Sequence, residues 1–211
     1  MKVREDINQF IKTLPDNVTL VAATKYVDEN VMRDLYKHNI KEFGENRVDA
    51  FLSKYDELKD LSDITWHFIG HLQRNKALKV INKIDYLHSL DSLELADLID
   101  KNRNTPLKVF VEVSINLEDS KNGVPYYEAK SFIKSLLIYK NIQVVGLMMM
   151  TIKNSDGKDN QFRKLNELRL QIQDELGIVI PYLSMGMSDD YLDALKEGAT
   201  HIRLGRILYS E

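Results

Sequence analysis

Short β-rich segments alternate with helical patterns along the whole chain, and this alternation restricts the fold more than any other feature. Several of the β-rich segments are nearly continuous apolar runs, which is typical of parallel strands covered on both faces. Eight such strands alternating with helices favour a closed α/β barrel of the (β/α)8 TIM type over an open sheet. The predicted strands are Val18–Thr24, Ile40–Gly44, Thr65–Gly70, Tyr86–Leu90, Leu107–Ile115, Gln143–Met149, Tyr182–Met187 and His201–Leu208.

The segments between these strands predict amphipathic helices with recognisable ends. Asp28 is a candidate N-cap for the helix after the first strand, and Ser188 is a candidate N-cap for a helix over Asp189–Glu197. Glycines follow two predicted helices directly, at Gly177 and Gly198. A helix C-terminus favours glycine at that position, so both boundaries are predicted from the sequence.

The ends of the chain depart from the usual barrel pattern. A helix over Arg4–Leu14 precedes the first strand, and the chain stops soon after the eighth, at Ser210–Glu211. We expect this extra N-terminal helix to cover the side of the barrel where the usual final helix is missing. No linker or internal repeat interrupts the pattern, so residues 1–211 are predicted to form a single domain.

Composition and charge exclude several classes of function. The chain has 29 basic and 32 acidic residues, so its charge indicates neither nucleic acid nor a membrane surface as a partner. It has no cysteine, which excludes disulfides, thiolate nucleophiles and cysteine-based metal sites. The five histidines lack HxH or HExxH spacing, so no metal site is predicted. Without a signal peptide or an apolar run of roughly 18 residues, we expect a cytoplasmic protein.

The first strand leads to Lys25, the most unusual residue at the predicted active face. In a barrel of this type that face is formed by the C-terminal ends of the strands. Lys25 follows the apolar run LVAAT, where partial desolvation would favour a neutral amine that attacks a carbonyl and forms an imine. A lysine that merely extends from the barrel end into solvent is the alternative, and position alone does not decide between them.

Two segments near the end of the chain suggest a phosphate site. Ser188 opens the predicted helix after strand seven, and Gly205 lets backbone N–H groups approach a ligand after strand eight. A plain N-cap serine and a tightly packed glycine explain both residues equally well. Asp189 and Asp190 would repel a phosphate unless their carboxylates point away from it.

Arg203 lies in the middle of the apolar run HIRLG, where an unpartnered cation is costly. It either pairs with a buried carboxylate or faces a ligand inside the barrel, and the sequence leaves both alternatives open.

Seven segments, in order from about Leu20 to Tyr209, resemble a known family. Two of them, WHFIGHLQRNK and LSMGMSDD, are long and specific. The chain resembles the pyridoxal phosphate homeostasis proteins, whose barrel is similar to the N-terminal domain of bacterial alanine racemases. Two departures are the ATKYV surroundings of the lysine, where many members read SK, and a shorter tail after strand eight. The other five segments are VAATKYV, FGENRV, INLEDSKNG, GLMMMTI and HIRLGRILY.

The resemblance implies that pyridoxal 5′-phosphate (PLP) is held as a Schiff base on Lys25. Ser188 and the Gly205–Arg206 backbone would hold its phosphate, and Arg203 would face its pyridine nitrogen. The resemblance implies no catalytic residue. The implied cofactor contacts are Lys25, Asn46, Met187, Ser188, Arg203, Gly205 and Arg206.

The function implied by the resemblance is intracellular PLP homeostasis, by buffering or delivery and without robust catalysis. A cation beside the pyridine nitrogen disfavours its protonation and weakens PLP as an electron sink. Alanine racemases share this arginine but add an all-β domain, for which we expect no residues here. PLP-dependent apo-enzymes are the implied partners and a monomer is expected. The alternatives are a PLP-dependent racemase-like enzyme, a lysine-imine aldolase and a regulatory protein-binding module.

Overall fold

The computed structural model describes residues 1–115, 122–151 and 158–210. Most of the INLEDSKNG segment and the last residue of GLMMMTI lie outside these ranges. The strands are β1 (Lys2–Val3), β2 (Thr19–Ala23), β3 (Glu42–Glu45), β4 (Thr65–Phe68), β5 (Tyr86–Leu90), β6 (Leu107–Ser114), β7 (Val124–Pro125), β8 (Ile142–Met148), β9 (Tyr182–Ser184), β10 (His201–Leu204) and β11 (Tyr209–Ser210). The helices are α1 (Ile7–Ile11), α2 (Glu29–Lys37), α3 (Val48–Glu57), α4 (Arg74–Ala77), α5 (Leu93–Asn102), α6 (Ala129–Leu136), α7 (Lys158–Leu176) and α8 (Tyr191–Lys196).

Eight parallel strands form a closed barrel, which confirms the predicted fold class. The ring runs β2, β3, β4, β5, β6, β8, β9 and β10. It closes where β10 pairs with β2, in register from His201 opposite Thr19 to Leu204 opposite Ala22. The short β7 adds to β6 outside the ring. Each of the eight predicted strands contributes one strand of this ring.

Apolar side chains cover both faces of the barrel strands, which explains the continuous apolar runs in the sequence. In β6, Val109 and Val111 belong to the main core cluster that includes the helices. Phe110 between them belongs to a separate cluster with Val145 and Met148. Because alternate residues of a strand point to opposite faces, that second cluster fills the barrel interior.

The two ends of the chain meet beside the barrel. Strands β1 and β11 pair antiparallel, with Lys2 opposite Ser210. Helix α1 packs there through Phe10, whose ring centroid lies 6.1 Å from that of Tyr191 in α8. The helix is shorter than the predicted Arg4–Leu14, because the backbone N–H of Arg4 donates to Leu208 and therefore belongs to the pairing of the ends.

Three of the helix ends predicted from the sequence are confirmed. Asp28 accepts a hydrogen bond from the Val31 backbone N–H at 3.1 Å, which confirms it as a cap. Gly177 and Gly198 both have positive φ, at 63° and 90°, directly after α7 and in the turn after α8. No helix in the described ranges is both long and apolar enough to cross a membrane.

The prediction that Ser188 caps a helix over Asp189–Glu197 is wrong. Helix α8 begins at Tyr191, and its N-cap position is occupied by Asp190. The carboxylate of Asp190 accepts from the Met187 backbone N–H at 2.7 Å, which holds residues 187–190 in a turn.

Candidate functional site

The residues that the sequence singles out lie at the C-terminal ends of neighbouring barrel strands. Lys25 follows β2, Asn46 follows β3, and Gly205 follows β10. Because β2 pairs with both β3 and β10, Lys25 lies between the other two. Ser188 follows β9 and joins this group through its hydroxyl oxygen, which accepts from the Gly205 backbone N–H at 3.3 Å. The structure therefore brings these residues together at one mouth of the barrel.

Lys25 is exposed, so the predicted partial desolvation of its amine is wrong for this structure. The backbone leaves the barrel in a turn at this point, and Nζ lies 4.7 Å from the ring centroid of Tyr26, which is also exposed. An exposed amine next to the mouth is accessible to a carbonyl that enters there. The imine on Lys25 stays a prediction.

A buried ion pair holds the backbone just before Lys25. Lys54 Nζ donates to Glu45 Oε1 at 2.5 Å and to the Thr24 carbonyl at 2.6 Å. The Thr24 hydroxyl also donates to Glu45 Oε1, at 2.5 Å. Sequence reasoning missed this cluster, since Lys54 lies in a helix whose charged residues suggest a solvated face. The only available signal was a glutamate at the end of an apolar strand.

Asn46, directly after β3, has a buried acceptor without a partner in the described part of the chain. Its Oδ1 has no hydrogen-bond partner among the described residues, although such atoms are normally paired. Gly70 packs directly against it, because a Cβ on Gly70 would lie 2.4 Å from the Asn46 carbonyl oxygen. The Ser89 hydroxyl holds Gly70 in place by donating to its carbonyl at 2.6 Å. An unpaired acceptor fits a ligand that brings a hydroxyl or a protonated group.

The loop after β10 leaves room for an anion. A Cβ on Gly205 would make only ordinary contacts with Ala23, the nearest at 3.5 Å. Packing within the protein therefore does not explain why position 205 is a glycine. The Arg206 side chain is exposed and pairs with Asp189, and the phosphate contact predicted for Arg206 is its backbone N–H.

The two aspartates after β9 do not oppose an anion as the sequence suggested. Asp189 is paired with Arg206 on the surface. Asp190 accepts from the Thr151 hydroxyl and from the Met187 backbone N–H, both at 2.7 Å. The Met187 N–H therefore has a short hydrogen bond within the protein, whereas the Gly205 N–H makes only the longer 3.3 Å contact with Ser188. The Ser188 hydroxyl and the backbone of residues 205 and 206 are thus the better placed of the predicted phosphate ligands.

Arg203 is a buried cation inside the barrel. Its guanidinium donates to Ser184 Oγ at 2.6 Å, to the Met149 carbonyl at 2.9 Å and to Met150 Sδ at 3.1 Å. Burial lowers its pKa to about 10, although Glu112 and Asp190 act in the opposite direction. No ion pair to a carboxylate forms within the described ranges. Of the two predicted alternatives, the structure therefore disfavours direct pairing with a buried carboxylate.

Glu112 adds a titratable carboxyl that sequence reasoning missed. It lies in the second half of β6, facing Arg203 and the Asp91 carboxylate that follows β5. The pKa of Glu112 is raised to about 7, mainly by burial; the Asp91 carboxylate also raises it, and Arg203 acts in the opposite direction. The group can therefore exchange a proton near neutral pH.

Histidines occupy the interior below the mouth. His67, His88 and His201 are buried beside one another, with ring centroids of His67 and His88 5.1 Å apart. Burial lowers the pKa of His201 to about 3 and that of His88 well below its usual value. Their burial and their hydrogen bonds indicate structural roles for these three histidines. In the described part of the chain, no group of three or more His, Asp or Glu side chains is arranged so that it could hold a metal ion.

Comparison with known proteins places this arrangement in a family. The chain matches the alanine racemase N-terminal domain family over residues 2–211. It is 42% identical over 197 residues to a pyridoxal phosphate homeostasis protein of Aquifex aeolicus, covering 91% of this chain and 86% of that protein. PipY of Synechococcus elongatus, solved with PLP bound, is 30% identical with a TM-score of 0.90, covering 97% of this chain and all of PipY.

Alanine racemase itself is more distant. The enzyme of Corynebacterium glutamicum is 17% identical with a TM-score of 0.75, and the match covers 97% of this chain but 59% of the enzyme. That likeness shows the barrel fold alone. The extent and identity of the other matches show that the chain belongs to the pyridoxal phosphate homeostasis proteins.

Proposed function

We propose that this protein binds PLP at the barrel mouth, as a Schiff base on Lys25, and acts in PLP homeostasis. The observation that carries the proposal is the grouping of Lys25, Asn46, Ser188 and Gly205 at one end of the barrel. A relative with the same fold, PipY, was solved with PLP bound. In this role the protein holds the cofactor in the cytoplasm and passes it to PLP-dependent apo-enzymes, acting as a monomer.

The chain offers a suitable contact for each part of the cofactor. The Ser188 hydroxyl and the backbone N–H groups of Gly205 and Arg206 bind the phosphate. Asn46 Oδ1 accepts a hydrogen bond, and Arg203 places a positive charge near the ring. When bound, PLP supplies an electrophilic aldehyde on an electron-withdrawing ring.

Arg203 favours holding the cofactor over using it. A guanidinium near the pyridine nitrogen opposes protonation of that nitrogen, and without that proton the ring stabilises carbanions less well. The side chain is fixed by three hydrogen bonds to uncharged acceptors, so it keeps its charge close to the site. We therefore propose that the protein does not turn over amino acids robustly.

Borohydride trapping tests the proposal directly. The PLP-loaded protein is expected to show an imine absorption band, and reduction followed by mass spectrometry is expected to locate the label on Lys25. Lys25→Ala should lose both signals. Lys37→Ala, which removes an exposed lysine of α2, is the matched control and should keep both. Equal labelling of Lys25→Ala and the parent protein would refute the assigned lysine.

A second candidate function is a PLP-dependent racemase-like activity, which Glu112 specifically favours. Its pKa of about 7 allows it to accept and donate a proton at neutral pH, in a position that faces Arg203. Conversion of L-alanine to D-alanine by the loaded protein, followed with a chiral assay, decides between the two functions. Turnover that Lys25→Ala and Glu112→Gln both abolish would favour the enzyme, whereas a rate equal to free PLP would exclude it.

A further inference from the structure

A continuous hydrogen-bonded chain runs through the interior of the barrel and ends on Arg203. Glu42 Oε2 lies 2.6 Å from His67 Nε2, and His67 Nδ1 lies 2.8 Å from His88 Nε2. His88 Nδ1 lies 2.7 Å from Ser184 Oγ, which in turn accepts from Arg203 at 2.6 Å. Except for Glu42, these side chains are buried. Of these five residues, only Arg203 has a role in the function proposed above.

The chain links the two faces of the barrel. Glu42 is the first residue of β3 and lines a cavity of about 310 Å³ at the N-terminal ends of the strands, together with Thr19, Thr65 and Lys108. Arg203 lies at the other end, bonded to the carbonyl of Met149, which directly follows β8. The intervening links come from three further strands, β4, β5 and β9.

The two ends determine the direction of every hydrogen bond between them. A carboxylate only accepts and a guanidinium only donates. His67 must therefore donate through Nε2 to Glu42, and a neutral His67 then accepts at Nδ1 from His88 Nε2–H. That leaves His88 Nδ1 as an acceptor for the Ser184 hydroxyl, whose oxygen accepts from Arg203. Burial keeps His88 neutral, because it lowers the pKa of that ring well below its usual value.

The opposite arrangement fails at Ser184. If His67 carried protons on both nitrogens, it would donate to His88 Nε2, and His88 would donate from Nδ1 to Ser184. Ser184 Oγ would then accept from both His88 and Arg203, and the hydrogen of its hydroxyl would have no acceptor among these five side chains. A single direction, with both rings carrying their proton on Nε2, satisfies every member.

We propose that Glu42, His67, His88 and Ser184 are positioning residues that orient the Arg203 guanidinium from the opposite face of the barrel. Ser184, His88 and His67 are neutral, and each donates its hydrogen bond in the direction of Glu42, away from the Arg203 cation. Hydrogen bonds aligned in this way polarise and strengthen one another. The proposal rests on the proposed function only in that it treats Arg203 as part of the PLP site. The chain itself is a property of the ligand-free protein.

The first test therefore needs no cofactor. In protein labelled with ¹⁵N-histidine, nitrogen shifts and long-range proton correlations report the tautomer of each ring. We expect His67 and His88 both to carry their proton on Nε2. In Ser184→Ala the His88 Nδ1 loses its donor and its nitrogen shifts should move, whereas Ser184→Thr restores the hydroxyl and the original shifts. A proton on His88 Nδ1 in the parent protein would overturn the proposal.

The second test follows Arg203 and the cofactor. Loss of the Ser184 hydroxyl should broaden the Arg203 guanidinium nitrogen signals. It should also weaken PLP binding about tenfold, because the loosened side chain must then be ordered when the ligand binds. Glu42→Gln, at the partly exposed end, should alter the His67 and Arg203 signals without unfolding the protein. Asp63→Asn is the matched control, since Asp63 lines the same cavity but its side chain bonds Tyr36 and Lys41 and no member of the Glu42–Arg203 hydrogen-bonded chain.

The outcomes separate the two proposals. If Lys25 takes no PLP but the tautomers of His67 and His88 are as expected, the proposed function is wrong, whereas the proposed hydrogen-bonded chain from Glu42 to Arg203 is supported. If PLP binds on Lys25 but Ser184→Ala and Glu42→Gln leave the guanidinium signals and the PLP affinity unchanged, the positioning role fails and the proposed function stands.

Discussion

At the scale of single residues, the buried ion pair between Lys54 and Glu45 illustrates how the site depends on groups outside it. The pair holds the carbonyl of Thr24, the residue before Lys25. Two buried charges are tolerated here because each has a hydrogen-bonded partner of opposite sign.

Removing one partner of this pair is expected to be strongly destabilising. Lys54→Met leaves Glu45 buried and unpaired, which costs about 3–5 kcal/mol of unfolding free energy. Urea denaturation measures the loss, and the double variant Lys54→Met with Glu45→Gln should recover much of it. Lys41→Met breaks an exposed pair with Asp63 and should cost less than about 1 kcal/mol. Equal losses in the two single variants would contradict the buried-pair assignment.

Two buried groups should make stability depend on pH in opposite directions. The pKa of His201 falls from 6.5 to about 3 in the fold, so between these values only the unfolded chain binds its proton. Stability from His201 is therefore lost as the pH falls below about 6.5, at up to about 1.4 kcal/mol per pH unit. The pKa of Glu112 rises from 4.5 to about 7. Its contribution is complete below about pH 4.5 and is lost as the pH rises through 7.

Single variants separate these opposing contributions. Between about pH 4.5 and 6.5 these two contributions oppose each other, and His88, whose pKa burial also lowers, adds to the loss of stability on acidification. We expect Glu112→Gln to steepen the loss of stability on acidification and His201→Gln to reduce it. Urea unfolding from pH 5 to pH 8 measures both slopes, and parallel curves for the parent and the Glu112 variant would show that the pKa of this carboxyl is ordinary.

At the scale of elements, close strand pairing depends on glycine at one position in β8. A Cβ on Gly146 would lie 2.0 Å from the Tyr182 carbonyl oxygen of β9. Gly146→Ala is therefore expected to force the two strands apart and to cost about 3 kcal/mol. Gly177→Ala is a matched comparison, because its Cβ would contact nothing within 4 Å and only its φ of 63° is unfavourable. That variant should lose about 1 kcal/mol in the same unfolding assay.

The sequence predicted the elements better than it predicted their contacts. Apolar runs identified the eight barrel strands, and Asp28, Gly177 and Gly198 identified helix ends, since these signals are local. The pairing of β1 with β11 joins residues about 200 positions apart and leaves no local pattern. Single-domain organisation, which the same pattern favoured, stays a prediction.

In the candidate site, too, residues with a local sequence signal were predicted, whereas residues whose environment depends on distant elements were missed. Arg203 was found because a cation inside an apolar run is conspicuous, and Ser188 and Gly205 because they follow strands seven and eight, where barrels commonly bind phosphate. The cofactor contact of Asn46 came from the motif resemblance. The conformation of Lys25 was not predictable, since a turn decides whether its side chain is exposed. Lys54 and Glu112 were missed because each acquires its environment only when distant strands and helices meet.

At the scale of the whole molecule, binding of PLP to the folded state alone should stabilise the entire barrel. At a ligand concentration of about 100 times Kd the gain is about 2.7 kcal/mol, which for a chain of this size raises Tm by about 5–10 °C. A thermal scan with and without PLP measures the shift. Lys25→Ala should show little of it and Lys37→Ala all of it. A full shift in Lys25→Ala would mean that non-covalent contacts dominate affinity.

Closure of the barrel has a consequence for how the protein is made. The barrel closes where β10 pairs with β2, two strands that are separated along the sequence by all the other strands of the ring. During synthesis the sheet must therefore remain open until β10 has been made, with the edges of β2 and β9 unpaired during that interval. Open edges of this kind recruit other strands and favour misassembly. The nascent chain is thus vulnerable to misassembly until β10 is in place, and the finished ring leaves neither edge free.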